Sequence, residues 1–295
     1  MIRELKTLVA VARAGTFAKA GDQIGLTQAA VSAQMQRLEA ELGFPLFDRS
    51  ARAARLNPRG QQVVEQAQEL IRQYTNLGSR ASGAHTASLV NVGAIASVER
   101  SLLPEVLAKF HRQAADCRVR IVPGVSMQLV DAVDAGDLDL AIVIRPPFSL
   151  QSDLRWTTLA HEPFRLLVPR QLSGNDWAEL LATQPFIRYD RTSFGGRQVD
   201  RFLRAAHLRV RDVFEVDELE AMVGLVAKGV GVALVPQTAT FRRWPAAVRA
   251  IDLGERTFHR DIGVVHRSGR QMADAARRLV EMVCASYGVA RPSRA

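Results

Sequence analysis

The chain is 295 residues long, enough for two or three domains, and its hydrophobic content of 47% excludes wholesale disorder. Its formal net charge of +9 permits a polyanionic partner without proving one. No window of about 18 residues is continuously apolar, so we expect neither a membrane-spanning helix nor a membrane partner, and the N-terminus is not typical of a signal peptide. Two cysteines, Cys117 and Cys284, cannot frame a disulfide scaffold, which favours a cytoplasmic protein with reduced thiols.

The N-terminal region predicts three short helices. Apolar residues recur at helical spacing in the first of them. Thr16 and Thr27 are typical N-caps of the second and third helices, and Gly43 is placed to end the third. Two helices joined by a short turn within residues 16–42 form the helix-turn-helix plan, whose second helix enters the major groove of DNA.

The outward side of the third helix favours DNA binding over the alternative of an ordinary amphipathic core helix. Its apolar residues cluster on one side at about 100° per residue. The opposite side, which has no acidic residue before Glu39, comprises Ala29, Ala33, Gln36 and Arg37, with Gln28 and Ser32 at its margin.

A non-helical, arginine-rich stretch follows from Phe44 to Leu56. Such a run is usually a solvated surface, but directly after a helix-turn-helix pattern it indicates a wing that grips phosphate groups. The arginines in and just beyond this stretch are Arg49, Arg52, Arg55 and Arg59.

A longer helix is predicted after the wing. Asn57 and Pro58 are typical of an N-cap and a first helical residue. The apolar spacing of three and four that follows, over about 20 residues, is that of a coiled-coil seam. Residues 78–83 then have the composition of a flexible linker.

From residue 89 onward, strand-like and helical runs alternate. This rhythm predicts mainly parallel sheets with helices on both faces. At about 200 residues, the segment forms either one large domain or two small ones.

Polar side chains that follow the predicted strands are candidate ligand contacts, because open α/β sheets bind ligands at the C-terminal ends of their strands. Residues of these types are also common caps and turns, so only their convergence on one cleft favours a binding site. Arg145 would pair with a ligand carboxylate or, equally, would cap a strand end or pair with a surface acid. The acids of residues 215–218 would repel an anion or cap the next helix, and capping is favoured. The candidates are Ser97, Gly124, Val125, Ser126, Arg145, Arg191, Thr192 and Ser193.

Five spaced segments within residues 1–60 stand out: GTFAKA at 15–20, LTQAAVS at 26–32, LEAELG at 38–43, PLFDR at 45–49 and LNPRG at 56–60. Together they resemble the N-terminal domain of LysR-type transcriptional regulators. Weaker similarity extends to about residue 288, at residues 103–110, 136–141 (GDLDLA) and 229–236 (GVGVALVP).

The resemblance implies an α/β protein with an N-terminal winged helix-turn-helix, a long linker helix and a two-lobed effector domain like a type 2 periplasmic binding protein. It also implies double-stranded DNA, a small-molecule effector in the interlobe cleft and RNA polymerase as partners, and a homodimer or homotetramer. The implied divisions are a DNA-binding domain at 1–60, a dimerisation helix at 58–78, a hinge at 79–88, effector lobe I at 89–161 and 262–288, and effector lobe II at 162–261.

The recognition helix departs from the family in one place. Many members carry an arginine where this chain has Ala33. Arginine reads guanine, whereas alanine offers only a methyl contact to thymine, so we predict A·T-rich half-sites with Gln28 reading an adenine edge. We expect Arg52→Ala to weaken binding to all sequences alike and to lower the salt slope by about one. The predicted phosphate contacts are Thr16, Thr27, Ser32 and Arg49.

The sequence shows no signature of catalysis. It has no G-x-S-x-G elbow and no P-loop, and its six histidines lack metal-ligand spacing, so we expect no catalytic residue, metal or cofactor. A ligand-responsive DNA-binding regulator accounts for both parts of the chain. The alternative is a small-molecule binding protein or enzyme of periplasmic-binding-protein fold with a non-functional helical N-terminus.

Overall fold

A computed structural model describes residues 1–48, 54–80, 88–238, 241, 243–268 and 272–289. The chain divides into two compact units, an N-terminal unit (Met1–Ala87) and a C-terminal unit (Ser88–Ala295). The division falls within the hinge expected at 79–88, of which residues 81–87 lie outside the described residues, whereas residues 78–80, predicted as flexible linker, are helical.

The N-terminal unit is helical, and its three predicted short helices are confirmed. Thr16 Oγ1 accepts the backbone N–H of Lys19, and Thr27 Oγ1 accepts that of Ala30, so both predicted N-caps are confirmed. Gly43 ends the third helix in the left-handed conformation at φ 81°, as predicted. The helices are α1 (Ile2–Ala14), α2 (Phe17–Ile24), α3 (Gln28–Leu42) and α4 (Pro58–Arg80).

The turn between α2 and α3 depends on a close backbone approach. A Cβ atom at Gly21 would lie 2.4 Å from the carbonyl oxygen of Leu26, so only glycine fits there. Behind the turn, the apolar side of α3 is buried through Val31, Met35 and Leu38. The core therefore fixes which side of α3 faces outward.

The segment between α3 and α4 folds back on itself as a wing. Phe47 and Leu56 form an antiparallel bridge, and the backbone N–H of Asp48 donates to the carbonyl of Arg55. Asn57 Oδ1 then accepts the backbone N–H of Gly60 at 2.8 Å, which confirms Asn57 as the cap of α4. Residues 49–53 lie outside the described residues.

The C-terminal unit alternates strands and helices. Its strands are β1 (Leu89–Ala94), β2 (Arg118–Pro123), β3 (Leu140–Ile144), β4 (Leu154–Pro169), β5 (Pro185–Tyr189), β6 (Arg211–Val216), β7 (Ala233–Pro236), β8 (Val248–Ile251) and β9 (His259–Arg267). Its helices are α5 (Ala96–Ser101), α6 (Leu103–Gln113), α7 (Ser126–Asp134), α8 (Trp177–Thr183), α9 (Phe194–Ala205), α10 (Leu219–Ala227) and α11 (Asp274–Ser286), with a 3₁₀ turn at Gly254–Arg256.

The sheets are less parallel than the sequence predicts. The main sheet has the order β2-β1-β3-β9-β4-β7, with β8 also on β4, and β5 pairs with β6 in a second sheet. The β1–β2, β1–β3 and β5–β6 pairs are parallel, but every pairing made by β4 and β9 is antiparallel. The prediction of mainly parallel sheets is therefore wrong at the centre, because two long returning strands occupy it.

Two apolar clusters form the interior of the C-terminal unit. The first contains β1, β3, the start of β4, the middle of β9, and helices α5, α6, α7 and α11. The second contains β5, β7, β8, the end of β4, and helices α8, α9 and α10. Strand β4 contributes Leu154 and Leu159 to the first cluster and Phe164 to Val168 to the second, so it runs through both.

Candidate functional sites

The outward side of α3 is polar and accessible. Gln34 turns inward, where its Oε1 accepts the Thr7 hydroxyl at 2.6 Å, and Arg37 Nε donates to the carbonyl of Ala33. Ser32 is half-buried at the margin, as its predicted position requires. The exposed residues are Gln28, Ala29, Ala33, Gln36 and Arg37.

The helix caps add hydroxyl groups beside this side of α3. Thr27 is exposed at the start of α3, and Thr16 is half-buried at the start of α2. Each hydroxyl oxygen accepts one cap bond and retains its own hydrogen for an outside acceptor. Both threonines are therefore suited to contact a phosphate oxygen.

Glu39 connects α3 to the wing. Its Oε1 accepts the backbone N–H groups of Leu46 at 2.6 Å and Phe47 at 3.3 Å. The sequence alone identifies Glu39 only as the first acidic residue along the outward side of α3. Its partners lie seven and eight residues away in a non-helical segment, and only the fold brings them together.

The wing arginines differ in what the structure describes. Arg55 is exposed. Arg59 lies over the ring of Phe44, with 5.5 Å from its guanidinium carbon to the ring centroid. Arg49 and Arg52 lie outside the described residues.

The C-terminal unit contains a cavity of about 320 Å³ at the ends of β1, β2, β3, β5 and β6. Five of the eight predicted ligand contacts meet there, which is where the strand-end rule places a ligand. These five are Ser97, Gly124, Val125, Ser126 and Ser193. The other lining residues are Ile95, Ala96, Pro123, Gln128, Ile144, Tyr189, Asp217, Glu218 and Leu219.

The start of α7 provides hydrogen-bond donors at this cavity. Val125 occupies the N-cap position but forms no side-chain cap, so the first N–H groups of α7 have no intrahelical partner. The hydroxyl of Ser126 accepts the backbone N–H of Ile144 at 3.1 Å and can donate its own hydrogen.

A buried ion pair supports one wall of the cavity. Arg260 is 1% exposed, and its Nε donates to Glu162 at 2.6 Å. Its terminal nitrogens donate to Ser97 Oγ at 3.0 Å and to Tyr189 Oη at 3.4 Å. Burial raises the pKa of the Glu162 carboxyl, and the Arg260 charge opposes that shift. The sequence did not single out either residue, because β4 and β9 both contain several other polar and charged residues.

The remaining three predicted contacts lie elsewhere. Arg145 lines a separate cavity of about 170 Å³ together with Arg197 and Arg201 of α9, and its guanidinium is 3.8 Å from the Asp261 carboxylate. None of the three lines the larger cavity, although Ser193, directly after Thr192, does. The other two bind neighbouring acids, Arg191 with Asp212 and Thr192 with Asp190.

The acids after β6 do not act as the predicted caps. Glu218 holds the N-cap position of α10, but its side chain accepts no cap bond there and instead pairs with Arg100 at 3.0 Å. Burial, followed by the neighbouring Glu220, raises the pKa of Glu218 to about 7. Burial and then Asp190 raise the pKa of Asp217. The capping prediction is wrong, and both carboxyl groups line the cavity.

Other classes of site are not found in the part of the chain that the structure describes. No group of His, Cys, Asp and Glu side chains there has the arrangement of a metal site. No helix among the described residues combines the length and apolar character needed to cross a bilayer. Cys117 is half-buried and Cys284 is buried, and both are free thiols.

Two family models together match most of the chain. Residues 2–61 match the bacterial regulatory helix-turn-helix protein of the LysR family, and residues 83–286 match the LysR substrate binding domain. The family comprises transcriptional regulators, so the alternative of a small-molecule binding protein or enzyme with a non-functional helical N-terminus is wrong.

Individual relatives and solved structures match this chain over nearly its full length. The transcriptional regulator YfeR of Shigella flexneri is 28% identical, over 96% of this chain and 92% of its own. The structure of a full-length OxyR variant from Pseudomonas aeruginosa matches with a TM-score of 0.60 and 25% identity, over 97% of this chain and 94% of its own. CbnR, solved in complex with its target DNA, matches with a TM-score of 0.55 and 24% identity, over 97% and 99%. The chain belongs to the LysR family of transcriptional regulators, with a helix-turn-helix DNA-binding domain followed by an effector-binding domain.

Proposed function

We propose that this regulator binds an operator through α3 and the wing, and responds to a small effector in the larger cavity. The observation that carries the DNA-binding part is the exposed, acid-poor side of α3 between two capping threonines and a basic wing. Such a surface suits phosphate contacts on both sides of a helix lying in the major groove. CbnR, a relative in fold, was solved bound to its target DNA.

Different residues contact the DNA bases and the DNA backbone. Gln28 is exposed at the start of α3 and has the amide geometry that reads adenine, while Ala33 offers a methyl group to thymine. The operator half-site is then A·T-rich at these positions. Selection from random DNA tests this, and a guanine-centred half-site would contradict it. The phosphate contacts proposed are Thr16, Thr27, Ser32, Arg49, Arg52 and Arg55.

Helix α4 provides a surface for dimerisation. Leu70 and Tyr74 lie four residues apart on one side of α4 and are 50% and 53% exposed, whereas Ala67 packs against the N-terminal core. An exposed apolar pair at this spacing is typical of a coiled-coil seam. In sedimentation velocity, Leu70→Ser with Tyr74→Ser is expected to shift a dimer or tetramer toward monomer; unchanged assembly would remove α4 from the interface.

The sensor part is proposed to work as a two-lobed clamp. The two apolar clusters support lobe I at 89–161 and 262–288 and lobe II at 162–261, with one exception: Phe194 packs in the first cluster. The cavity receives residues from both proposed lobes, and a small carboxylate fits the open N–H groups of α7 and the Ser126 hydroxyl. An effector that binds one lobe arrangement better would shift the dimer between two states and alter DNA bending and contact with RNA polymerase.

DNA binding is tested by anisotropy titration of the full chain on DNA from upstream of its own gene, across a salt series. Arg55→Ala is expected to weaken binding and to lower the slope of log affinity against log salt by about one, because one phosphate contact is lost. Arg112→Ala, an exposed arginine of the C-terminal unit, is the matched control and should leave the slope unchanged. Absence of any salt-sensitive binding would contradict the proposed function.

A further inference from the structure

The charged side chains among the described residues that line the larger cavity are all acidic. Among the described residues that line it, none is Lys, Arg or His, whereas two are the acids Asp217 and Glu218. Arg145, the cation predicted for this site, lies at the other cavity. Arg260 lies behind Ser97 and Tyr189, where Glu162 balances its charge. An effector with only negative charge would therefore lie beside two carboxyl groups without a facing cation.

The cavity nevertheless contains one place suited to a carboxylate. The uncapped start of α7 presents N–H groups and the positive end of the helix dipole, and the Ser126 hydroxyl adds a donor. The acids belong to a different element, at the start of α10. The lining thus favours a negative group at α7 and a positive group at α10.

We propose that the effector is a small zwitterion of the α-amino acid type. Its carboxylate binds Ser126 and the start of α7, and its ammonium group binds Asp217 and Glu218. This inference rests on the proposed effector cavity and names the class of ligand that it takes. The rest of the lining is largely apolar and suits an aliphatic side chain; it includes Ile95, Val125, Ile144 and Leu219.

The surroundings of the two acids favour an ammonium partner. Asp217 faces Asp190 and Arg260, and Glu218 faces Glu220 and Arg100. Burial and the neighbouring acid raise both pKa values despite the arginines. A bound cation stabilises an ionised carboxylate, so ammonium binding strengthens as pH rises through about 7, the pKa of Glu218. A ligand with a carboxylate alone favours the protonated acids and weakens over the same range.

The test is calorimetric titration of the full chain with each of the twenty standard L-amino acids. Any that binds is compared with its 2-hydroxy acid, which keeps the carboxylate, and with the corresponding amine, which lacks it. We expect the amino acid to bind about tenfold more tightly than either analogue, and Asp217→Asn or Glu218→Gln to remove most of that preference over the hydroxy acid. Glu215→Gln is the matched control, because Glu215 lies in the same acidic segment but outside the cavity lining.

The outcomes separate the ligand class from the site itself. If no amino acid binds, or if the hydroxy acid binds as tightly as the amino acid, the zwitterion is wrong. If Ser126→Ala weakens binding of that hydroxy acid, the cavity still binds a carboxylate and only the assignment of a zwitterion fails. If a ligand binds and Ser126→Ala leaves its affinity unchanged, the effector cavity is itself wrong, while the DNA-binding test remains independent.

Discussion

The two units differ in how deeply their candidate functional groups are buried. In the N-terminal unit, the candidate DNA contacts on α3 are exposed apart from the half-buried Ser32, and the described core beneath them is apolar except for Thr7. In the C-terminal unit, the serines of the cavity are buried, and the ion pair of Arg260 and Glu162 lies behind them. The N-terminal unit therefore carries its candidate functional groups on the surface, outside an apolar core, whereas the C-terminal unit carries them in its interior.

This difference teaches how each activity can change. Exposed groups contribute little to folding, so operator preference can be altered by substitution on α3 without loss of stability. Buried polar groups must keep their partners, because an unpaired buried charge is costly. Changes in effector preference are therefore coupled to the stability of the C-terminal unit.

Breaking the buried ion pair should have the largest effect. We expect Arg260→Met to lower the free energy of unfolding of the C-terminal unit by about 3–5 kcal/mol, because the Glu162 carboxylate remains buried without its cation. Denaturant unfolding followed by tryptophan fluorescence measures this unit alone, since Trp156, Trp177 and Trp244 all lie within it.

The paired substitution is the control for this prediction. Arg260→Met with Glu162→Leu removes both charges and should recover much of the lost stability. A double variant as unstable as the single one would show that Arg260 acts through packing rather than through its charge. The stability of the C-terminal unit would then depend on the volume of the Arg260 side chain and not on its charge.

The parts of the fold that the sequence predicted are local. Thr16, Thr27, Asn57 and Gly43 act within three or four residues of themselves, so their types alone identify the helix ends. The serines of the cavity were found because the ends of parallel strands meet at one edge of a sheet.

The parts that the sequence could not predict depend on distant partners. Arg260 and Glu162 are far apart in the chain and meet only because β4 and β9 pair at the centre of the sheet. The start of β4 escaped the pattern because exposed and half-buried residues interrupt its apolar ones. The direction of Arg145 depends on the turn after β3, and strand order alone does not give it.

An intermediate effect is expected where the N-terminal unit does use a polar contact within its fold. Glu39→Ala removes the acceptor of two wing N–H groups and should lower wing stability by about 1.5–3 kcal/mol, the range for bonds to a charged group. Hydrogen exchange at Leu46 and Phe47 should accelerate, and affinity for DNA should fall with it. Glu39→Gln keeps an acceptor oxygen and is the matched control. Equal exchange rates in wild type and Glu39→Ala would show that the wing holds its position without this carboxylate.

The smallest expected effect is a pH dependence of stability in the C-terminal unit. The folded pKa of Glu218 is about 7, above its ordinary value of 4.5, because of burial and the neighbouring Glu220. A raised acid pKa means that the folded state holds its proton more tightly than the unfolded state. Stability is therefore unaffected below about pH 4.5, falls as pH rises toward 7, and is constant above that.

Glu218→Gln should remove this penalty. We expect it to melt close to wild type at pH 5 and about 2 °C higher at pH 8, a modest gain because solvent reaches about a third of the side chain and screens its charge. Glu215→Gln, with an exposed carboxylate in the same segment, should show no such change with pH. A difference in melting temperature between Glu218→Gln and wild type that stays constant from pH 5 to pH 8 would mean that the Glu218 carboxyl group is ionised over that whole range. The interior of the C-terminal unit would then tolerate an ionised carboxylate, and only the buried pair of Arg260 and Glu162 would still distinguish the two units.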